Sequence, residues 1–288
     1  MCELTQGGSQ MTEKQRLEQA FEALRSMLGG FWPLISITLG TGLGYMVELL
    51  EEANHILYTQ IPNCPVPSVQ GHSGELWWGK LKGVPVIMLS GRVHCYEGGS
   101  IHEVVFMTRL MMWLGIDRLI ITHATGALTK NLEPGDIVGI RSQIGLTCDD
   151  PTSGQGIDEL GDEPFVGMGK VFDPALLKLA KRCALKLGVP FARGVSVFKK
   201  GRTYEDEAET FAMRSWGADI ATMSTPADVM AIAQRRRRVL DLALVTDMCP
   251  GLGTPDTSHE EVLRIGEENK EPFGRLIMEI VYEMGQTT

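Results

Sequence analysis

The chain has no run of about eighteen apolar residues, so nothing in it predicts a membrane-spanning helix. A basic start leading into an apolar core is also missing, and MCELTQGGSQMTEKQR does not read as a secretory signal. Closely spaced cysteines are absent. The six stand at positions 2, 64, 95, 148, 183 and 249, and the nearest two, Cys64 and Cys95, are 31 residues apart. That spacing excludes CxxC metal and redox motifs, and it predicts a disulfide-free protein of the reducing cytoplasm. Basic charge is in deficit, with 27 Lys and Arg against 36 Asp and Glu and a net charge of −9. No nucleic-acid or anionic-membrane partner is therefore expected, because both need a basic surface.

Glycine is in excess: 33 of 288 residues, about 11% where ~7% is ordinary. Hydrophobic residues (43%) and charged residues (22%) are close to the average for folded soluble chains. The length suits one large domain that buries a substantial core.

Residues 1–10 are polar and predict a flexible tail, with a single domain over 11–288. Leu17, Phe21, Leu24 and Leu28 recur at helical spacing, so 12–28 reads as an amphipathic helix closed by Gly29 and Gly30. FWPLISITLGTGLG reads as a buried strand entering a glycine loop. Further strands are predicted at 84–90, 118–122, 136–140, 193–198, 219–223 and 241–246. Several are continuous apolar runs, which suits strands covered on both faces. Helices are predicted at 174–187, with Asp173 as cap and Pro174 at the first position, and near 101–114, 205–216, 226–240 and 259–285. The alternation predicts an α/β domain with a mixed central sheet and helices on both faces. The acidic stretch 147–164 reads as a surface excursion. Arg235 to Arg238 read as the basic end of a helix.

Six short segments could hold chemistry. Gly40-Thr41-Gly42-Leu43-Gly44 follows a strand and could approach an anion through backbone N–H groups. It lacks the Gly-Lys-Ser/Thr of a P-loop and the spacing of a dinucleotide fingerprint, so alone it reads as a structural turn. In Gly91-Arg92-Val93-His94-Cys95-Tyr96-Glu97-Gly98, alternation puts Arg92, His94 and Tyr96 on one face of an extended chain, an arrangement suited to phosphate. Cys95 is turned away and reads as a buried free thiol. THATGAL at 122–128 reads as a strand end entering a tight turn. Tyr204 beside Glu205 could stack on and hydrogen-bond a heterocycle, while the acids that follow suit a helix start. Met223-Ser224-Thr225 and Thr246-Asp247 also close predicted strands.

Taken in order, GTGLG, GRVHCYEG, THATGAL, GRTYEDEAE, MST, TD and SHEEV resemble the trimeric class of purine nucleoside phosphorylases over roughly residues 31–285. Arg-x-His-x-Tyr-Glu-Gly is the most diagnostic segment and separates this class from methylthioadenosine phosphorylases. The resemblance implies phosphorolysis of ribonucleosides to free base and α-ribose 1-phosphate by a homotrimer. No metal or organic cofactor is implied, with inorganic phosphate as co-substrate. It assigns phosphate contacts to Thr41, His72, Arg92, His94, the Ala124 backbone and Ser224. Ribose contacts fall on Tyr96, Met223 and His259, with Phe165 supplied by a neighbouring subunit. Base contacts fall on Tyr204, Glu205, Thr246 and Asp247, and catalytic roles on His94, Glu205 and Asp247.

Three positions depart from the family pattern. Asp247 stands where asparagine is usual, His123 also replaces an asparagine, and Arg202 replaces a proline just before Tyr204. An ionised Asp247 accepts from an exocyclic amine but repels a carbonyl oxygen. Donation to a purine N7 requires its protonated form, which burial or nearby Glu205 would favour. A base preference shifted towards adenine or cytosine is the expectation. The rival readings are a hydrolase-like or methylthioadenosine-type activity and a weakly catalytic nucleoside-binding paralogue.

Overall fold

A computed structural model describes residues 11–40, 42–69, 71–154, 157–160, 165–253 and 258–286. The tail expected over 1–10 lies outside them. The described residues form nine strands: β1 (Ile35–Leu39), β2 (Glu51–Leu57), β3 (Glu75–Leu81), β4 (Val84–Ser90), β5 (Arg118–Ala127), β6 (Ile137–Ile144), β7 (Phe191–Phe198), β8 (Ile220–Thr222) and β9 (Arg238–Met248). They form one mixed sheet in the order β2-β3-β4-β1-β5-β8-β7-β6-β9. β9 also pairs in parallel with β5, so the last five strands close on themselves. β1 lies parallel to both β4 and β5, and all five of its residues are buried, Ser36 and Thr38 as well as the apolar residues with which they alternate.

Eight α-helices cover the sheet: α1 (Glu13–Met27), α2 (Ile101–Val104), α3 (Phe106–Trp113), α4 (Pro174–Leu187), α5 (Glu207–Ser215), α6 (Pro226–Gln234), α7 (His259–Glu268) and α8 (Lys270–Gln286). α8 turns Phe273, Leu276, Ile277, Ile280, Val281 and Met284 inward, a stripe at helical spacing. Those side chains pack with Leu177, Ala180 and Ala184 of α4 against β1, β4 and β9. On the other face, Leu17 and Leu24 of α1 and Phe106 and Leu110 of α3 meet Leu76, Ile87 and Leu89. Full burial of each such side chain stabilises the fold by about 1.5–3 kcal/mol. The expected α/β class, with a mixed sheet between helical layers, is the observed one.

Several expected boundaries move. β2 and β3 were not expected. β2 is an almost wholly exposed edge strand without apolar alternation. β5 continues through THATGA instead of turning at Thr122, because β9 pairs with it along its whole length and a bulge between Thr125 and Gly126 absorbs the twist. The helix expected over 226–240 stops at Gln234. Arg236 takes a left-handed φ of 53°, and Arg238 opens β9, so the four arginines form a turn and a strand start rather than a helix end. The helix expected over 259–285 breaks at Asn269, and that over 101–114 breaks at Val105. The acidic excursion is anchored: Ile157 and Leu160 pack in the core beside α1, and the Pro151 carbonyl accepts from Arg109 at 2.5 Å.

The strand ends are held at close quarters. The Thr122 hydroxyl donates to the Thr38 carbonyl (2.9 Å) and accepts from the Gly40 N–H (3.1 Å), which ties the exit of β1 to β5. A Cβ on Gly40 would lie 2.6 Å from His123 Cα and from the Thr122 carbonyl oxygen, both rigid backbone. Gly40→Ala is therefore expected to lower stability in urea unfolding by about 1–3 kcal/mol, the usual cost of overpacking.

Candidate active site

A cleft of about 740 Å³ of empty space opens beyond the carboxyl ends of β1, β4, β8 and β9 and alongside β5. That end of a parallel-rich sheet is where open α/β folds bind ligands. His72, Arg92, His94, Tyr96, Ala124, Tyr204, Glu205, Met223, Ser224, Thr246, Asp247 and His259 all line it. Every expected site residue is thus gathered there except two. Thr41 lies outside the described residues. Phe165 stands elsewhere, 92% exposed, beside a groove lined by Lys170 and Arg236 to Arg238.

One end of the cleft is cationic and rich in donors. Arg92 leaves β4 almost fully buried. Its Nη2 donates to the Thr122 carbonyl, and its Nη1 is buried without a hydrogen-bonding partner. Burial works against its charge, while Asp228 and Asp241 behind it favour that charge. The Arg92 backbone N–H donates to His72 Nδ1 at 2.8 Å. Since an amide can only donate there, His72 carries its hydrogen on Nε2.

His94 approaches Glu97 Oε1 through Nδ1 at 3.1 Å and stacks on Tyr96 at 4.7 Å. The carboxylate can only accept, so the neutral ring keeps Nε2 as an acceptor. The extended alternation expected here gives way after His94 to a tight turn over Cys95–Glu97. The ring stack nevertheless keeps His94 and Tyr96 together. Cys95 is a free, half-buried thiol packed near Cys148.

Burial, with help from the neighbouring positive groups, lowers His72 to about 3 and His94 to about 4. Asp228, fully buried and hydrogen-bonded by the Thr108 hydroxyl, is raised by burial to about 6.

The opposite end is acidic. Glu205 is buried and raised by that burial, with Asp247 adding repulsion. Asp247 Oδ1 accepts from the Thr246 hydroxyl at 2.9 Å. Asp247 Oδ2 fits only because Gly126 faces it across the β5–β9 pair, where a Cβ would come within 3.1 Å. Tyr204 is partly exposed at the rim. Asp206 caps α5 just beyond, as the acidic run suggested. Arg202 reaches back over the Tyr96 ring at 5.5 Å and links the two ends of the cleft. Sequence reasoning missed Val69, Val262 and Thr222 in the wall. It also missed Asp228 and Asp241 behind the wall, which left no local signal, whereas Glu97 belongs to the segment already singled out.

Known proteins resemble the chain in sequence and in fold. The phosphorylase superfamily profile matches residues 35–281. Purine nucleoside phosphorylase 1 of Geobacillus stearothermophilus is 35% identical over 94% of this chain and 98% of its own length. The purine nucleoside phosphorylase of Rattus norvegicus is 32% identical over 86% and 89%. A Schistosoma purine nucleoside phosphorylase structure with hypoxanthine superposes with a TM-score of 0.89 at 28% identity, covering 97% of this chain and all of that one. A Schistosoma mansoni isoform 2 structure holding cytosine and ribose-1-phosphate superposes with a TM-score of 0.87 at 29% identity, covering 94% and 97%.

The histidine shifts have a consequence for stability. Below about pH 6.5 both rings take up protons in the unfolded chain but stay neutral in the folded one until roughly pH 4 or 3. The unfolded state binds more protons there, so stability is full above that interval and falls as pH drops through it. Each histidine contributes up to about 1.4 kcal/mol per pH unit. Below about pH 6, Asp228 offsets part of this, since it keeps its proton only when folded. Urea unfolding between about pH 6.5 and 5 should show this fall, and His94→Asn should flatten the slope.

Proposed function

The chain belongs to the phosphorylase superfamily and, within it, to the purine nucleoside phosphorylase family of pentosyltransferases, and we propose that it cleaves ribonucleosides reversibly with inorganic phosphate. The products are free base and α-ribose 1-phosphate. The observation that supports this most directly is the buried Arg92 guanidinium on the cleft wall, with an Nη1 donor that has no partner among the described residues. An orphaned buried donor is costly, and a phosphate oxygen would relieve it.

In this reading Arg92, His72 through Nε2, Ser224, Thr41 and the Ala124 backbone hold phosphate beneath the sugar. His94 accepts a hydrogen from a protonated phosphate oxygen or a ribose hydroxyl. Met223 and Tyr96 wall the ribose, and half-buried His259 meets its 5′ end, where its Nε2 lacks a partner. As the C1′–N bond breaks, positive charge develops on the sugar and negative charge on the leaving base. Phosphate faces the first, and protonation at the acidic end relieves the second. No cofactor is called for beyond the co-substrate. Assembly as a cytoplasmic homotrimer, with Phe165 reaching a neighbour's cleft, belongs to the same proposal and fits that residue's exposure. Among the described residues no helix is long and apolar enough to cross a membrane.

The base preference follows from the two carboxyl groups. Adenine presents an amine at C6 and an acceptor at N1. Asp247 accepts from the amine, and Glu205, whose pKa is raised by burial, donates to N1 in its protonated form. Hypoxanthine and guanine instead direct a carbonyl oxygen at Asp247, which repels it. Cytosine matches adenine in having an amine beside a ring acceptor. The solved relatives hold amino-bearing and oxo-bearing ligands alike, adenosine and cytosine as well as inosine and guanosine.

Phosphate-dependent turnover of inosine, guanosine, adenosine and cytidine tests the proposal. Adenosine or cytidine should lead, and Asp247→Asn should move the preference towards inosine by about tenfold or more. A strong inosine preference that Asp247→Asn leaves unchanged would refute the shifted specificity. Arg92→Ala should raise the phosphate KM roughly 10- to 100-fold with the fold retained. Normal phosphate saturation in that variant would refute the anion site.

A further inference from the structure

Behind the cationic end of the cleft lies a second polar chain that the phosphorolysis reading does not use. His123 of β5 and Asp241 of β9 are both almost completely buried. The two strands pair in parallel, with Asp241 opposite Ile121, which brings the carboxylate alongside the imidazole two residues further on. His123 Nε2 lies 3.3 Å from Asp241 Oδ1. Among the described residues neither Nε2 nor either Asp241 oxygen has a hydrogen-bond partner, so Asp241 faces the ring as a close charge contact rather than a hydrogen bond. On the other side of the ring, Nδ1 lies 3.2 Å from the Ala124 carbonyl and 3.3 Å from the Thr222 hydroxyl. Thr222 Oγ1 is in turn 3.2 Å from Ser224 Oγ, and it accepts from the Ser224 N–H at 3.3 Å.

The chemistry of these partners gives the chain a direction. The Ala124 carbonyl can only accept, so the ring carries a hydrogen on Nδ1. Thr222 then accepts from the ring and from the Ser224 N–H, which fills both its lone pairs. Its own hydrogen is left for Ser224 Oγ. Ser224, with its oxygen already hydrogen-bonded, has its O–H free to donate into the cleft. A neutral ring with hydrogen on Nε2 alone would reverse the order: Thr222 would donate to Nδ1, and Ser224 would spend its hydrogen on Thr222. Only the first arrangement presents a donor to an anion.

We propose that His123, held by Asp241, is a positioning residue for the phosphate subsite, and that it acts through Thr222 to orient the Ser224 hydroxyl as a donor to phosphate. The proposal rests on the phosphorylase reading, which supplies the anion. It gives a role to the histidine that departs from the family pattern. The buried Asp241 carboxylate then serves both the Arg92 charge that it favours and the His123 ring that it faces.

The test is steady-state kinetics with phosphate and nucleoside varied separately, on the full-length protein. Thr222→Val should raise the phosphate KM about fivefold to tenfold, the size of one lost hydrogen bond, and leave the nucleoside KM within about twofold. Thr222→Ser, which keeps the hydroxyl, should restore the phosphate KM. In a Ser224→Ala background Thr222→Val should add almost nothing, because both act on one donor. Should Thr222→Val fail to fold, Thr222→Ala carries the same test: it removes the hydroxyl and adds no bulk. Full additivity with Ser224→Ala, or equal effects on both KM values, would overturn the proposal as merely structural. A wild-type protein without phosphate-dependent turnover would overturn the phosphorylase reading first, and this proposal with it.

Discussion

The burial of the Arg92 guanidinium at the exit of β4 is the constraint on which the site depends. A cation in that position has lost most of its water, and the surroundings have to replace it. Part of the replacement is local, since the Thr122 carbonyl accepts from Nη2. Part is carried by Asp228 on α6 and Asp241 on β9, whose negative charge favours the buried cation from behind. One donor remains unmatched and sits on the cleft wall. The same charge, together with burial, keeps His72 and His94 neutral, so the two rings present one donor and one acceptor instead of two further cations. The cleft is therefore strongly positive at one point and otherwise tuned by hydrogen bonding, which suits an anion that must enter, react and leave.

Close packing of strand ends makes that arrangement possible. The exit of β1 approaches β5 so tightly at Gly40 that no side chain fits, and Thr122 ties the two strands with a single hydroxyl. Gly126 performs a similar service at the opposite end, where its missing side chain leaves room for Asp247 and Cys249. At these two positions glycine reflects how near neighbouring groups must come at the rim of the sheet.

Much of this was legible in the sequence, and the failures have physical reasons. The apolar runs at β4 and β9 announce strands buried on both faces, and the segments following them gather into one cleft. β2 was not legible because an exposed edge strand needs no alternation to be stable. The Arg235 to Arg238 run misled because basic residues are equally at home in a turn; only the pairing of β9 with β5 decides that a strand starts there. The extent of β5 was hidden for the same reason. Its last residues are polar and glycine-rich, and they are held extended by β9 rather than by their own preference. Asp241 and His123 are the extreme case. They are 118 positions apart, and their meeting depends on strand register, which no local pattern encodes.

The two ends of the cleft solve opposite problems with related means. At the Arg92 end a buried cation is balanced by acids placed behind the wall. At the Glu205 end the acids are in the wall itself. Glu205 and Asp247 repel each other, and burial adds to the cost of ionising Glu205. The lowest-energy way to keep both is for one to hold a proton, which converts the pair from two acceptors into a donor and an acceptor. Under the proposed function, a base with an amine next to a ring acceptor would complement such a pair. A carboxylate at position 247 therefore acts beyond its own hydrogen bond, since its charge also raises Glu205 and changes what that side chain can offer.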